Sequence, residues 1–240
     1  MIDLDTKTLE EMIRAEDTHP WYKARLTLVE LWGKSLAPDS IGLDIGCGSG
    51  AAAQLLQRAY QTHPTGMDIS EFAVEASNKR GVKTLQVDVT NLPVFEASQD
   101  FVLALDVIEH IEDRHILLTE MFRVLKPGGK GLITVPAHSW LWSNHDELNH
   151  HYRRYSKELL LEDLKGTGFT IKTIRWWNSI LLPYLYISRV LTRKKDSSEF
   201  DLPPKILQFL VTLILTTEAR SKFLGKFVGV SLIATIEKPL

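Results

Sequence analysis

A glycine-rich turn at residues 43–50, Leu-Asp-Ile-Gly-Cys-Gly-Ser-Gly, is the strongest chemical signal in the chain. Glycines in such a turn tolerate positive φ and let a ligand approach the backbone, while the following helix offers free N–H groups and the positive end of its dipole. A polar or anionic ligand group is therefore expected here. Gly46, Gly48 and Ala51 also satisfy the G-x-G-x-x-G/A pattern, so the turn alone leaves open both a nicotinamide or flavin cofactor and another nucleoside.

Two aspartates follow at the ends of the next predicted strands. Asp68 lies eighteen residues after Gly50, where a carboxylate can accept hydrogen bonds from both hydroxyls of a ribose. Asp88 ends the third predicted strand, where it either accepts a hydrogen bond from an adenine amino group or caps the turn at residues 88–91. The glycine turn and Asp68 together indicate a nucleoside-type cofactor.

A histidine that follows the fourth predicted strand is the first candidate for a general base. His110 lies close after that strand with Glu109 beside it. A general base raises the rate of a reaction at a hydroxyl group by ~10²–10⁴-fold. A histidine that starts the next helix as a polar cap would have the same sequence. Both interpretations of His110 stay open.

Residues 137–155, AHSWLWSNHDELNHHYRRY, hold four of the chain's eight histidines. The aromatic side chains can line a pocket for an apolar substrate, and the two arginines can pair with a carboxylate or phosphate on it. His151 is a second candidate base. The candidate substrate contacts in this segment are Trp140, Trp142, His145, Tyr152, Arg153, Arg154 and Tyr155. The acid and histidines within 145–151 match no familiar metal-ligand spacing, so no metal is expected.

The elements that position these residues alternate between short apolar runs and helical ones. Residues 101–105 are almost continuously apolar, which is typical of a strand buried on both faces of a parallel sheet. The alternation predicts an α/β doubly wound sheet, whose ligands bind outside the carboxyl ends of the strands. Strands are predicted at residues 40–45, 64–69, 82–87, 101–105, 131–135, 169–177 and 228–237, and helices at 8–15, 50–60, 71–80, 115–125 and 156–166.

Composition narrows the class of protein. With 240 residues, 44% hydrophobic and 24% charged, the chain is typical of a globular protein with one large domain. Its only cysteine, Cys47, excludes an intramolecular disulfide and favours a reducing, cytoplasmic compartment. The formal net charge of -2 argues against a nucleic-acid partner, and the acidic, polar N-terminus argues against a secretory signal.

Residues 178–226 form an apolar excursion before the last predicted strand. Two uncharged stretches in this region, 176–188 and 206–217, are shorter than the ~18 to 20 residues that a helix needs to span a bilayer. Their apolar surface must be covered by the domain itself, by a second copy of the chain, or by a membrane surface or lipid-linked acceptor. Basic residues beside the first stretch would either help the last option or form a solvated loop: Arg189, Arg193, Lys194 and Lys195.

Five blocks in this order resemble class I S-adenosylmethionine-dependent methyltransferases: residues 43–50, 66–68 (GMD), 87–89 (VDV), 106–111 (DVIEHI) and 125–129 (LKPGG). The closer similarity is to small-molecule enzymes that include those of quinone biosynthesis. The resemblance implies a mostly parallel, seven-stranded Rossmann-like sheet with helices on both faces and an antiparallel last strand. It implies S-adenosylmethionine as cofactor, with these contacts: Asp44, Gly46, Cys47, Gly48, Gly50, Asp68, Ile69, Asp88, Val89, Leu105 and Asp106.

The expected reaction is methyl transfer to a small-molecule acceptor at oxygen, with S-adenosylhomocysteine as product. The Asn/Asp-Pro-Pro-Tyr/Phe block of nucleic-acid and protein amide N-methyltransferases is absent after the fourth strand, which disfavours a nucleobase acceptor. The alternatives are a nicotinamide-dependent oxidoreductase and a non-catalytic cofactor-binding scaffold. A single domain at 1–240 is expected to comprise an N-terminal helical lid at 1–38, a cofactor-binding core at 39–136, the acceptor cap at 137–155 and a helical insertion at 178–226.

Overall fold

The computed structural model describes residues 10, 13–183, 186, 205–221 and 223–240. Its strands are β1 (Ile41–Ile45), β2 (His63–Asp68), β3 (Thr84–Gln86), β4 (Gln99–Leu105), β5 (Leu125–Pro136), β6 (Thr170–Trp177) and β7 (Ser231–Glu237). Its α-helices are α1 (Pro20–Gly33), α2 (Ala51–Tyr60), α3 (Glu71–Lys79), α4 (Arg114–Val124), α5 (Asn144–Leu148), α6 (Lys157–Thr167) and α7 (Lys205–Arg220).

The strands form one seven-stranded sheet in the order β3-β2-β1-β4-β5-β7-β6. β7 runs antiparallel to both β5 and β6, and the remaining neighbours pair in parallel. The strand order reverses between β1 and β4, so the crevice outside the carboxyl ends of these two strands is the place where a ligand is expected. The predicted sheet, including its antiparallel last strand, is confirmed.

The core lies on both faces of the central strand β4. Val102 and Ala104 pack into the cluster on one face, whereas Phe101, Leu103 and Leu105 pack into the cluster on the other. Alternate side chains of a strand point to opposite faces, so a strand that is covered on both sides must be apolar at every position. This burial accounts for the near-continuous apolar run in the sequence.

Several element boundaries differ from the sequence-based expectation. α4 begins at Arg114, one residue before the predicted start, with Asp113 as its N-cap. β5 was expected to begin at residue 131 after a loop, but it begins at Leu125 and includes residues 127–129. The expectation was wrong there because Leu125 pairs with Gln99 and the register then shifts, so the Pro-Gly-Gly stretch lies in an irregular part of the ladder.

The late apolar region includes a long helix, α7, that packs against α1. Leu215 and Ala219 are buried in the core cluster that contains Leu28 of α1. The opposite face is exposed, most strongly at Ile206 (80%) and Phe209 (68%). The basic residues at 189 and 193–195, and the apolar residues 184, 185, 187 and 190, lie outside the described residues.

Two further observations concern the N-terminal helix and the lengths of the helices relative to a membrane. Residues 13–16 are helical and overlap the end of the helix expected at 8–15, and most of the remainder of that segment lies outside the described residues. Among the helices that the structure describes, none is both long enough and apolar enough to cross a membrane.

Candidate active site

The glycine turn connects β1 to α2 at the carboxyl edge of the sheet. Gly46, Gly48 and Gly50 all have positive φ, at 64°, 53° and 77°. A Cβ on Gly46 would lie 2.6 Å from a methyl of Val107, and one on Gly50 would lie 2.2 Å from the Ser77 hydroxyl. A Cβ on Gly48 would meet nothing within 4 Å, so the backbone at this residue faces open space.

Two aspartates hold the turn from below and from the side. Asp68 Oδ2 accepts from the Gly48 backbone N–H at 2.9 Å, and its Oδ1 accepts from the Ser70 N–H at 3.0 Å. Asp44 is buried beneath the turn, where its carboxylate accepts from the Ala53 N–H at 3.2 Å. Burial raises the pKa of Asp44 to about 7, against the opposing effect of the Arg25 charge.

Asp88 caps the turn at residues 88–91, which is one of the two roles expected for it. Its Oδ1 accepts from both the backbone N–H and the hydroxyl of Thr90, at 2.9 and 2.8 Å. Its backbone carbonyl accepts from the Asn91 N–H at 3.1 Å. These bonds establish the turn-capping role of Asp88, and they do not test its expected contact with adenine.

An N-terminal segment lies across this edge. Arg25 on α1 is 3.2 Å from Asp106 Oδ2 and 3.5 Å from Glu16 Oε1, and its guanidinium lies over the rings of Trp21 and Tyr22. Glu16 also accepts a hydrogen bond from the Ser49 hydroxyl of the glycine turn. Burial raises the pKa of Glu16, and the Arg25 charge opposes that rise.

Asp106 has an unusual backbone conformation. It follows β4 directly and adopts a φ of 58°, which is uncommon for a residue other than glycine. Such outliers cluster at functional sites, where the surrounding structure holds them in place. Here the carboxylate is held by Arg25.

His110 and Glu109 form a short 3₁₀ turn, Ile108–His110, after β4. His110 does not cap the next helix, because the N-cap of α4 is Asp113. Burial and the neighbouring His151 lower the pKa of His110 to about 3, so its imidazole is neutral at physiological pH. Glu109 is completely buried, neither carboxylate oxygen has a hydrogen-bond partner among the described residues, and burial raises its pKa well above the usual range.

The segment at 137–155 folds back onto that turn through an ionic network centred on Asp146. One oxygen of Asp146 is 2.8 Å from His151 Nδ1 and 2.7 Å from Arg154 Nε, while the other accepts from the Ser143 N–H at 2.9 Å. Burial alone would raise the pKa of Asp146, but its bonds with His151 and Arg154 hold that pKa far below the usual range. The ring of His151 then lies 4.5 Å from that of His110, centroid to centroid.

The remaining cap residues divide between structural contacts and an exposed aromatic surface. Arg153 donates to the carbonyls of Ile111 and Glu112, and Tyr155 is fully buried in the core. Trp140, Trp142 and Tyr152 are exposed, and the nitrogen atoms of His145 lie at hydrogen-bond distance from the Asn149 amide. His138, which the sequence did not single out, stacks on Trp176 at 5.0 Å and contacts Trp140 at 4.9 Å.

The structure thus brings the predicted cofactor and catalytic residues to one edge of the sheet. Cys47, Leu105 and Val89 are buried there, and Ile69 is half-buried. The sequence-based prediction missed Glu16, although this acidic residue comes shortly before the aromatic pair Trp21 and Tyr22. It also missed the pairing of His151 with the 3₁₀ turn, for which no local pattern exists.

Comparisons with known proteins agree with this geometry. Residues 43–133 match the family model described as a methyltransferase domain. The 27-O-demethylrifamycin SV methyltransferase of Amycolatopsis mediterranei is 38% identical over 96 residues, which are 37% of this chain and 35% of that protein. An O-methyltransferase of Aspergillus nomiae is 34% identical over 96 residues, which are 37% of this chain and 43% of that protein.

Among solved structures, phosphoethanolamine N-methyltransferase 2 of Haemonchus contortus, in complex with S-adenosyl-L-methionine, is similar with a TM-score of 0.63 at 20% identity. The match covers 90% of this chain and 52% of that one. At this identity the likeness shows the fold alone. The chain spans less than half the length of the two curated relatives named above.

The sheet order, the glycine turn and the match at residues 43–133 together identify a methyltransferase domain of the class I S-adenosylmethionine-dependent type in this part of the chain. S-adenosylmethionine is the cofactor of this family. The methyltransferase domain and the cofactor predicted from the sequence are thereby confirmed.

Proposed function

We propose that the protein transfers a methyl group from S-adenosylmethionine to the oxygen of a small-molecule acceptor, with S-adenosylhomocysteine as product. The observation that carries the proposal is the open backbone at Gly48 beside the Asp68 carboxylate, at the strand-order reversal. That arrangement fits a nucleoside with an attached amino acid, because it offers a cradle for the chain and an acceptor for ribose hydroxyls. Both curated relatives named above are O-methyltransferases by name, which supports oxygen as the acceptor atom.

The cofactor contacts follow from the placement of the edge residues. Asp68 would accept hydrogen bonds from both ribose hydroxyls, and Asp88 would accept a hydrogen bond from the adenine amino group. Asp106, held by Arg25, would lie beside the amino-acid end. The proposed contacts are Asp44, Gly46, Cys47, Gly48, Gly50, Asp68, Ile69, Asp88, Val89, Leu105 and Asp106.

The bound cofactor supplies an activated methyl group on a sulfonium, so the protein mainly has to align acceptor oxygen, methyl carbon and sulfur. The O–CH₃ bond forms as the C–S bond breaks, and the electron pair of that bond passes to sulfur. The acceptor hydroxyl gives up its proton to a neutral imidazole. His110 is neutral at physiological pH and is the first candidate for that base, with His151, oriented by Asp146, as the second.

The acceptor would bind against the cap at 137–155, within a single domain at 1–240 whose N-terminal segment at 1–38 acts as a lid. The exposed rings of Trp140 and Trp142 provide an apolar wall close to this edge. The proposed acceptor contacts are Trp140, Trp142, His145, Tyr152, Arg153, Arg154 and Tyr155. Of these, Tyr155 would act by supporting the wall, because it is buried in the core.

Isothermal calorimetry with S-adenosylhomocysteine, compared with NAD and NADP, tests the cofactor class. We expect binding of the adenosyl-sulfur compound alone. Binding of a nicotinamide dinucleotide alone would refute the proposal and favour an oxidoreductase. Turnover is tested by incubation with S-adenosylmethionine and a panel of hydroxyl, amine and carbon acceptors, with S-adenosylhomocysteine release as readout. Cofactor binding with no turnover on any acceptor would favour the scaffold alternative.

We also propose that the exposed apolar face of α7 is covered in the working protein, by a second copy or by a membrane surface. Ile206, Phe209 and Leu213 are each more than half exposed on this helix. Monomeric soluble proteins rarely expose a contiguous apolar patch of this kind. Such a face would allow a cytoplasmic protein to bind a membrane surface and reach a lipid-linked acceptor. Phe209→Glu should reduce either self-association in sedimentation or binding to anionic liposomes. A wild-type monomer that ignores liposomes would contradict both options.

A further inference from the structure

We propose that Glu109, His110 and His151 form a binding site for one divalent transition-metal ion at the rim of the methyl-transfer crevice. Each residue offers one ligand atom, and these atoms all lie within 4.8 Å of one another. Two imidazoles and one carboxylate form a ligand set that suits Zn²⁺, Co²⁺, Mn²⁺ or Fe²⁺ and leaves coordination positions open. The set was invisible in the sequence because His151 comes from a different segment than the other two.

The first independent observation is the carboxylate of Glu109. Its side chain is 0% exposed and neither of its oxygens has a hydrogen-bond partner among the described residues. A buried carboxyl group whose oxygens have no partner is unfavourable, and buried polar groups are ordinarily hydrogen-bonded or coordinate metals. Arg154, the buried cation of the cap, is hydrogen-bonded to Asp146 instead. An ion between Glu109 and the two imidazoles would provide the missing partner.

The second observation is that both histidines are already oriented as metal ligands usually are. Asp146 lies 2.8 Å from Nδ1 of His151, which leaves Nε2 as the nitrogen for coordination. His110 hydrogen-bonds to the backbone of Asn149. Ligating histidines almost always donate their other ring N–H to a carboxylate or a backbone carbonyl, which fixes the tautomer and the ring orientation.

The geometry requires only a small closure. Ligand atoms about 2.0–2.1 Å from a tetrahedral ion are about 3.3 Å from one another. The most distant pair in the cluster therefore has to approach by about 1.5 Å at most. The 3₁₀ turn and the cap are already joined, because the Tyr152 N–H donates to the Glu109 carbonyl at 2.8 Å.

The role of the ion rests on the function proposed above, whereas its binding does not. An open coordination position next to the crevice would take the acceptor hydroxyl and lower its pKa, so that the oxygen attacks the methyl carbon while its proton passes to water. With the ion bound, His110 and His151 are its ligands and the proton passes to water, whereas in the metal-free protein they remain the candidate bases.

The test uses the full chain, freed of metal with a chelator and titrated with Zn²⁺ and with Co²⁺ in a calorimeter. We expect one ion per chain in the wild type. Glu109→Gln and His151→Asn should each weaken binding at least tenfold. The matched controls are Glu112→Gln and His150→Asn, which change exposed neighbours of the same type and should bind within twofold of the wild type. Asn suits the positive φ of residue 150.

A measurement on the wild-type protein tests the metal site without any substitution. The Co²⁺-loaded protein should show two exchangeable, paramagnetically shifted imidazole N–H resonances, one from each histidine. Absence of saturable binding, binding unchanged in Glu109→Gln, or controls that weaken as much as the ligand variants would overturn the proposal.

Calorimetry with S-adenosylhomocysteine on the metal-free protein separates the two proposals. Cofactor binding without metal binding overturns only the metal site. Metal binding without cofactor binding leaves the site and overturns the proposed function.

Discussion

Asp44 allows a prediction whose size follows from the structure. Its carboxyl is buried beneath the glycine turn and has a pKa of about 7, whereas an unfolded aspartate has a pKa of about 3.9. Between these two values the folded chain holds a proton that the unfolded chain has released. The free energy of unfolding therefore falls as pH rises, by about 1.4 kcal/mol per pH unit below pH 7. Above pH 7 both states are ionised and this dependence ends.

Asp44→Asn removes the titration and keeps an oxygen that can accept from the Ala53 N–H. From pH 5 to pH 8 the stability of the variant relative to the wild type should therefore rise by about 2–3 kcal/mol. The assay is urea unfolding followed by tryptophan fluorescence at pH 5, 6, 7 and 8. Other titrating groups are common to both proteins, so the difference between the two curves isolates Asp44.

The control is Asp39→Asn, which changes a highly exposed carboxylate and should show no such rise. A relative stability that stays constant from pH 5 to 8, or that changes in the opposite direction, would show that the Asp44 carboxyl is not held protonated by burial.

Three further predictions concern the site and its supports. Asp68→Ala should weaken S-adenosylhomocysteine binding at least tenfold in calorimetry while the circular dichroism spectrum is retained; unchanged affinity would remove Asp68 from the cofactor site. Both Gly48→Ala and Gly50→Ala incur the strain of a positive φ, but only the methyl at residue 50 would also clash, with the Ser77 hydroxyl. Gly50→Ala should therefore lower the thermal midpoint more, whereas Gly48→Ala should mainly weaken cofactor binding, because its methyl would enter the open space beside the backbone; equal melting of the two variants would contradict this distinction. Arg154→Ala should lower the free energy of unfolding by about 3–5 kcal/mol in urea titrations, because it leaves Asp146 with a buried charge, and a loss below about 1 kcal/mol would mean that His151 alone suffices for Asp146.

The sequence alone was sufficient for the sheet and for the cofactor edge because both depend on local patterns. A doubly buried strand needs a continuous apolar run, and a turn with successive positive φ values needs glycines at particular positions. The strand 99–105 and the glycines 46, 48 and 50 satisfied these requirements directly. Asp68 followed, because a residue at the end of the neighbouring parallel strand must lie beside that turn.

Boundaries were less well determined where pairing outweighs local preference. The Pro-Gly-Gly stretch at 127–129 has the composition of a loop, yet it lies within β5, because Leu125 pairs with Gln99 before the register shifts. Interstrand pairing of this kind involves residues distant in sequence, and no window around 127 contains them.

The composition of the catalytic region was decided only by the tertiary structure. From sequence, His110 was equally compatible with a helix cap, and His151 was one of several histidines in a polar segment. Folding of the cap onto the 3₁₀ turn brings these two rings to 4.5 Å and seals Glu109 beneath them. The sequence determined which residues are the candidates for the chemistry. Their grouping depends on long-range packing and on the desolvation that accompanies it, which no local pattern encodes.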